Sequence, residues 1–370
     1  MKIICVSCFD YYETRMRGVI EFFQGKQYDV EYLIADYNHF SKSFYKVDYG
    51  CSKQLHVLPY SKNISPQRLL SHYLFSKRVL KEIKKESPDI IYCVIPPNSL
   101  VKDLGRYKEN NNCKLVFDVY DSWPESFPAK KKNAVLKLAF RYWANLRDNY
   151  INNADLLISV SKSGKEDLDT KFHKETKVLM PTVPVGDIPN YTFDLQDKIS
   201  FCYLGHVNSI TDIELGTEIL GGIAQNKKVE LHIIGEGQNK AKWIEMLEQS
   251  GVTVISHGVV FDDTEKRKIF ERCDMGLNIP RPEIRSTMAL KAVEYMRYGL
   301  PFINSGLGDN EEMVRSFHIG VNVKDGDIVP KILALSGLDL RIMHENVLRC
   351  YYEKFIKQDY EGIFSEVING

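Results

Sequence analysis

Apolar residues in this chain fall into short unbroken runs, separated by stretches where they recur every three or four positions. The runs suit strands buried on both faces, and the recurrence suits amphipathic helices. In the first half, residues 2–8, 30–35, 90–95, 115–119 and 155–160 read as strands. Residues 14–25, 66–85 and 133–151 read as helices. Ser65-Pro66 starts the second of these, with Leu69, Tyr73, Leu80 and Ile83 as its expected buried stripe. Ser161-Lys-Ser163 caps a further helix. Pro181-Thr-Val-Pro184 and Ile188-Pro-Asn190 interrupt the pattern and mark a linker. Strands resume at 199–204, 229–234, 253–255, 274–279, 300–305 and 319–323. Helices are expected over 210–225, 262–272, 286–298, 327–336 and 339–368, the last broken near Phe355, and one more starts at Asp309. Strand and helix alternate throughout, which predicts an α/β fold of two Rossmann-like domains. Residues 1–190 form the first, 191–350 the second, and 351–370 a final helix.

Composition narrows the class. A chain of 370 residues, 44% hydrophobic and 26% charged, has material for two cores. No run approaches the ~20 apolar residues of a membrane span. The start, Met-Lys-Ile-Ile-Cys-Val-Ser-Cys8, is too short an apolar run for a signal peptide. Eight scattered cysteines, several in expected strands (Cys5, Cys93, Cys202), suggest reduced thiols and a cytoplasmic location. Cys5-x-x-Cys8 has no second pair with which to hold zinc. Net charge is zero but uneven. Residues 1–180 carry 29 Lys and Arg against 21 Asp and Glu, and residues 181–370 carry 20 against 28. The basic half favours an anionic surface, whereas an acidic half that binds an anion needs a local cation. There is no internal repeat and no nucleic-acid motif.

The candidate chemistry centres on Ser286-Thr-Met-Ala-Leu-Lys-Ala-Val-Glu-Tyr-Met-Arg-Tyr-Gly-Leu-Pro301. Ser286 or Thr287 suits an N-cap, Gly299 suits the C′ position, and Pro301 prevents the helix from resuming. Lys291 and Glu294 are three apart and share a helical edge. Amide N–H groups, hydroxyls and a cation at a helix start suit a phosphate. A carboxylate one turn deeper suits ribose hydroxyls. An amphipathic helix with a surface salt bridge is the alternative. Gly205, after strand 199–204, permits close approach of backbone to a phosphate or sugar, and His206 is placed to hydrogen-bond it. In the first half, strand 115–119 delivers Tyr120 and Asp121 to the sheet's carboxyl edge. Asp121 is the candidate general base, or a cap of the following turn, and Asp118 is a weaker candidate. Trp123 stacks on a sugar or fills its loop. Loop 36–42 is a candidate acceptor contact. Helix 133–151 alternates apolar residues, Trp143 among them, with Lys137, Arg141 and Arg147. That suits an anionic membrane surface or a packed helix with a solvated face.

Glu294-Tyr-Met-Arg-Tyr-Gly-Leu-Pro301 resembles the donor-site signature of GT-B glycosyltransferases, especially glycosyltransferase family 4. Leu231-His-Ile-Ile-Gly-Glu-Gly237, Ile255-Ser-His-Gly-Val-Val-Phe261, Cys273-Asp-Met-Gly-Leu-Asn-Ile-Pro280 and Phe117-Asp-Val-Tyr-Asp-Ser-Trp-Pro-Glu125 resemble other segments of that family. The likeness covers about residues 200–325 and thins before 110. It implies two domains facing a cleft, a last helix crossing back to the first domain, and transfer of a sugar from a nucleotide-diphosphate donor, UDP-linked. The acceptor implied is a glycan or lipid-linked saccharide of cell-surface polysaccharide synthesis, met at the inner face of the membrane. Ser286, Thr287, Met288 and Lys291 would hold the diphosphate, Glu294 the ribose, and Gly258, Val259 and Val260 the base. Two family features are absent. Ser286 replaces the first Glu of the Glu-x7-Glu run, leaving Glu283 to contact the sugar. The loop after strand 199–204 lacks its Arg and Lys, leaving Lys291 as the cation. Tyr120-Asp121 stands where the family has His-Asp. Neither a metal nor another cofactor is expected. A non-catalytic partner of a glycosyltransferase or a nucleotide-sugar epimerase of the same shape are the alternatives.

Overall fold

A computed structural model of the chain describes residues 1–47, 49–62, 65–125, 134–181, 186–282 and 288–369. They form two compact units, Met1–Thr182 with Gln358–Gly370, and Val183–Lys357. The first boundary lies before the expected 190 because the extended segment after it packs on the second unit. The Asn190 amide donates to Glu271 at 3.2 Å, and Asp187 lies 3.9 Å from Arg267.

In the first unit, strands β1 (Lys2–Ser7), β2 (Asp29–Ala35), β3 (Ser52–Leu55), β4 (Ile90–Ile95), β5 (Lys114–Val119), β6 (Leu156–Ser159) and β7 (Thr176–Val178) make one parallel sheet. Its order is β3-β2-β1-β4-β5-β6-β7. Helices α1 (Glu13–Gly25), α2 (Pro66–Glu86), α3 (Asn98–Glu109), α4 (Ala134–Asp148) and α5 (Lys162–Phe172) connect it. Every residue of β4 is buried, as its unbroken apolar run requires. The edge strands β3 and β7 have no such run, and the sequence pattern missed both. The expected stripe of α2 holds at Ile83, which is buried, and at Leu80, which packs against the core, but not at Leu69 and Tyr73. Phe75, Val79 and Ile83 face the core, with Arg68 and His72 also buried. Leu69 and Tyr73 are 45% and 49% exposed.

The second unit holds β8 (Lys198–Leu204), β9 (Lys228–Ile234), β10 (Val252–Gly258), β11 (Met275–Asn278), β12 (Phe302–Asn304) and β13 (Gly320–Asn322), again all parallel, in the order β10-β9-β8-β11-β12-β13. Its helices are α6 (Ile213–Ala224), α7 (Lys240–Gln249), α8 (Asp263–Phe270), α9 (Leu290–Arg297), α10 (Asp309–Phe317), α11 (Ile328–Leu333) and α12 (Gly337–Tyr351). The expected break near Phe355 is real: Tyr352–Ile356 winds as a π-helix before α13 (Tyr360–Asn369). That last helix belongs to the first unit, where Phe364 packs on Phe22, Phe23 and Tyr92. Among the described residues no helix is long and apolar enough to cross a membrane.

One buried ion pair ties the first unit together. Arg15, on α1, binds both carboxylate oxygens of Asp118, on β5, at 2.6 and 3.1 Å. Its remaining nitrogen donates to the Met180 carbonyl at 2.6 Å, and Tyr92 on β4 donates to the same carboxylate. Asp118 is therefore a structural anchor and not a base. Removing one partner strands a buried charge, which costs about 3–5 kcal/mol, whereas an apolar replacement of both is far milder. Urea denaturation of Asp118→Ala is expected to show a loss of about that size. The double variant Arg15→Met/Asp118→Leu is expected to recover most of it.

Candidate active site

Parallel strands bring all their carboxyl ends to one edge of each sheet, where ligands of open α/β folds bind. In the second unit Leu204 pairs with Ile234, and Ile234 with Gly258. Gly205, Gly235 and Gly258 therefore lie side by side. Gly235 donates to the Gly258 carbonyl at 2.6 Å, and Gly205 donates to the Ile234 carbonyl at 2.9 Å. Gly235 has a φ of +141°, and a Cβ there would lie 2.2 Å from the Gly205 carbonyl oxygen. Only glycine lets the two loops touch. Val260 is buried, while Val259 stands 53% exposed. His206 is exposed, and its carbonyl accepts from the hydroxyls of Tyr203 and Thr211. The geometry gives its side chain no partner among the described residues that would mark it as catalytic.

Helix α9 supplies the charge. It starts at Leu290 with Ala289 at the N-cap, later than the expected caps Ser286 and Thr287. Those two and Glu283 lie outside the described residues. Met288 is buried. Lys291 and Tyr295, one turn apart, face the sheet. Tyr295 Oη accepts from the Leu204 amide at 2.9 Å and faces the Cys202 and Leu277 carbonyls at 3.2 Å each. Gly276 leaves room for the ring: a Cβ there would lie 2.7 Å from it. Lys291 Nζ donates to Tyr203 Oη at 2.8 Å and lies 4.0 Å from that ring's centre. Its aliphatic end lies 3.7 Å from where a Gly205 side chain would be. Among the described residues no ion pair reaches Lys291, and burial brings its pKa down to about 7. Glu294 turns the other way. It pairs with Lys266 on α8 at 2.7 Å and with Arg297 at 3.4 Å, so the expected shared edge with Lys291 is lost. Tyr203, Tyr295 and the chain of amides Asn278–Asn304–Asn322 at the ends of β11, β12 and β13 escaped sequence reasoning. The repeated strand-final asparagine was the available signal.

In the first unit Tyr120 and Asp121 reach the carboxyl edge as expected, and both amides donate to the Ile95 carbonyl. Asp121 accepts from Tyr12 Oη at 3.0 Å. Burial pushes its carboxyl pKa up, against the opposing effects of the Tyr12 hydroxyl and the Arg68 charge. A raised carboxyl suits proton transfer near neutral pH. Tyr120 packs on Tyr12 at 4.5 Å between ring centres. Trp123 is buried, stacked on His72 and covered by Arg68 at 4.4 Å, so it fills its loop. In loop 36–42, His39 is buried against Tyr60 Oη at 2.9 Å, and Phe40 is 72% exposed. On α4, Lys137 and Arg141 are exposed and Trp143 is half-buried. Arg147 does not belong to that basic face. It is buried and bound to the Trp123 carbonyl, Glu125 and Asp148.

Residues 13–181 match glycosyltransferase family 4, and residues 199–336 match glycosyl transferases group 1. The chain belongs to the GT-B glycosyltransferases of family 4 and is a glycosyltransferase. The fold is shared with solved structures. The apo form of the lipopolysaccharide outer core galactosyltransferase WaaB is 16% identical, covers 100% of this chain and 99% of its own, and has a TM-score of 0.65. HepE from Anabaena, in complex with UDP and glucose, is 14% identical with a TM-score of 0.63, covering 100% and 98%. Sucrose-phosphate synthase from Thermosynechococcus elongatus is 14% identical with a TM-score of 0.67, covering 98% and 96%. No curated protein matches the sequence.

The lowered Lys291 pKa sets two expectations. The burial penalty on the ammonium is full below pH 7 and fades as pH rises from about 7 toward the ordinary 10.5. Lys291→Met should therefore melt above the wild type at pH 6, and the gain should shrink by pH 10. An anion bound at Lys291 favours the protonated form. UDP affinity by calorimetry should thus fall by up to about tenfold per pH unit above pH 7.5, with proton uptake on binding.

Proposed function

We propose that the protein transfers a sugar from a UDP-linked donor to a glycan or lipid-linked saccharide in cell-surface polysaccharide synthesis. The observation that carries the reading is the half-buried Lys291 ammonium, which meets a tyrosine and no carboxylate among the described residues, at the glycine-lined edge of the second sheet. A desolvated cation without a counter-ion is a site for an anion. HepE, which shares the fold, was solved with UDP and with glucose.

In this reading the donor lies over Gly205, with the diphosphate at Lys291 and the chain leading into α9, where Ser286, Thr287 and Met288 stand. Glu283 contacts the sugar. Gly258, Val259 and Val260 meet the base, and Glu294, released from Lys266, takes the ribose. Negative charge grows on the diphosphate as the glycosidic bond breaks, and Lys291 with the loop amides stabilises it there. That role needs no metal and no other cofactor. Asp121 takes the proton of the attacking hydroxyl, oriented by Tyr12, with Tyr120 beside it. His206 hydrogen-bonds the donor once it is seated. Lys137, Arg141 and Trp143 hold the acceptor side against an anionic membrane at its cytoplasmic face. Nucleic acid has no part.

The test is a screen of nucleotide sugars for hydrolysis or transfer, read by mass spectrometry, beside calorimetry with UDP and GDP. Lys291→Ala is expected to abolish UDP binding. Asp121→Asn is expected to keep UDP binding and to lose turnover by about 10²–10⁴-fold. A wild-type protein that binds neither nucleotide at high concentration would overturn the reading.

A further inference from the structure

Three loops at the carboxyl edge of the first sheet set aromatic rings in one unbroken row. The turn after β1 gives Tyr11 and Tyr12, the loop after β2 gives Phe40, and the end of β5 gives Tyr120. Ring centres lie 4.5 Å apart from Tyr120 to Tyr12, 4.4 Å from Tyr12 to Tyr11, and 5.3 Å from Tyr11 to Phe40. Tyr12 is buried and forms the bed, Tyr11 and Tyr120 are half-buried, and Phe40 is 72% exposed. The row begins at Asp121, which accepts from Tyr12 at 3.0 Å, and it ends at Phe40.

The exposed end is held in place. Asn38 Oδ1 accepts from the Phe40 and Ser41 amides at 2.9 and 2.7 Å, and Asn38 Nδ2 donates to Asp10 at 2.5 Å. The Lys42 amide closes the turn on the Asn38 carbonyl at 3.1 Å. A side-chain turn of this kind fixes the backbone, so the phenyl ring stays in water beside Tyr11. One exposed ring is ordinary. A ring fixed at the end of an aromatic row that starts from a carboxylate is a surface for a ligand.

The chemistry of the row selects that ligand. Aromatic faces carry a negative quadrupole and attract the C–H groups of a flat, hydroxylated ring. Asp10 adjoins Tyr11 and Ser41 adjoins Phe40 in the chain, half-buried and exposed respectively. With Asp121 they offer oxygens to hydroxyls, which a hydrocarbon chain would leave unanswered. Apolar faces bordered by acceptor oxygens fit a saccharide, and a glycosyltransferase must bring an acceptor hydroxyl to its base.

We propose that the acceptor is a saccharide of at least two sugar units, its reacting unit beside Tyr120 and Asp121 and the units before it laid on Tyr11 and Phe40. Phe40 thereby sets the acceptor length that the protein prefers. The placement of the reacting end rests on the Asp121 reading above; the length preference rests on the row alone.

The test titrates the full chain, in the presence of UDP, with methyl glycosides of glucose, galactose, mannose and N-acetylglucosamine as single sugars, disaccharides and trisaccharides. Calorimetry and saturation-transfer NMR read the binding. At least one series is expected to tighten by about tenfold from the single sugar to the longer forms, the size of one added ring contact. Phe40→Ala is expected to remove that gain while the single sugar's affinity and the melting temperature stay as in the wild type. Phe40→Trp is expected to restore the gain. No binding by any series, equal affinity at all lengths, or a gain untouched by Phe40→Ala each overturns the proposal. A wild type that shows no gain but dimerises, and that Phe40→Ala returns to a monomer, gives the row to a second copy and also ends it. Asp121→Asn is expected to keep the length gain in binding; unchanged turnover in that variant overturns the base reading alone. UDP titration of the same preparation reads the second unit separately.

Discussion

The second unit is organised by what the Tyr295 hydroxyl does between β8 and β11. It accepts the Leu204 amide and faces carbonyls of both strands, where two strand ends diverge and backbone groups would otherwise lack partners. The helix carrying Tyr295 is thereby fixed against the sheet. One turn earlier on the same face, Lys291 has little choice but to lie over Tyr203. The cation's position follows from a neutral, buried hydrogen-bond network, and not from attraction to an acid.

That origin matters for the chemistry. A lysine held by a carboxylate is electrostatically spent, and an incoming anion must compete for it. Lys291 is held by packing, a ring face and a phenol oxygen, so its charge stays uncompensated and its proton is loosely bound. The first unit shows the opposite arrangement at Arg15, whose carboxylate partner neutralises it and turns it into a fastener. Two cations near two equivalent sheet edges, Arg15 buried and Lys291 half-buried, thus do different work, and the difference lies in one acid.

Much of the architecture was legible because both sheets are parallel and covered on both faces, which writes each central strand as an unbroken apolar run. The edge strands β3 and β7 were not, since a three- or four-residue strand with one neighbour needs no such run. In α2 the stripe was read correctly at Leu80 and Ile83 and out of phase earlier, at Leu69 and Tyr73. Leu69 and Tyr73 are as apolar as Phe75 and Val79, and local sequence does not say which stripe meets the sheet. At the site, Lys291 was found from its place before a Gly-x-Pro stop. Its pairing with Glu294 was a plausible three-residue contact that tertiary structure overrode, because Lys266 from α8 reaches the acid first. Sequence put Asp121 past the end of its strand and ranked it above Asp118, but could not show that Asp118 faces into the sheet toward Arg15.

The asparagines at the ends of β11, β12 and β13 form a relay with a direction. Asn278 donates to Asn304, Asn304 to Asn322, and Asn322 to the Glu311 carbonyl at the start of α10. Each amide passes on as a donor what it receives as an acceptor, so the row behaves as a single polarised wire across three strands. Aspartate at Asn304 would break it at one joint and leave Asn322 and the Gly306 carbonyl without their donor. The loops beyond these strands therefore share one electrical orientation, and they keep it or lose it together.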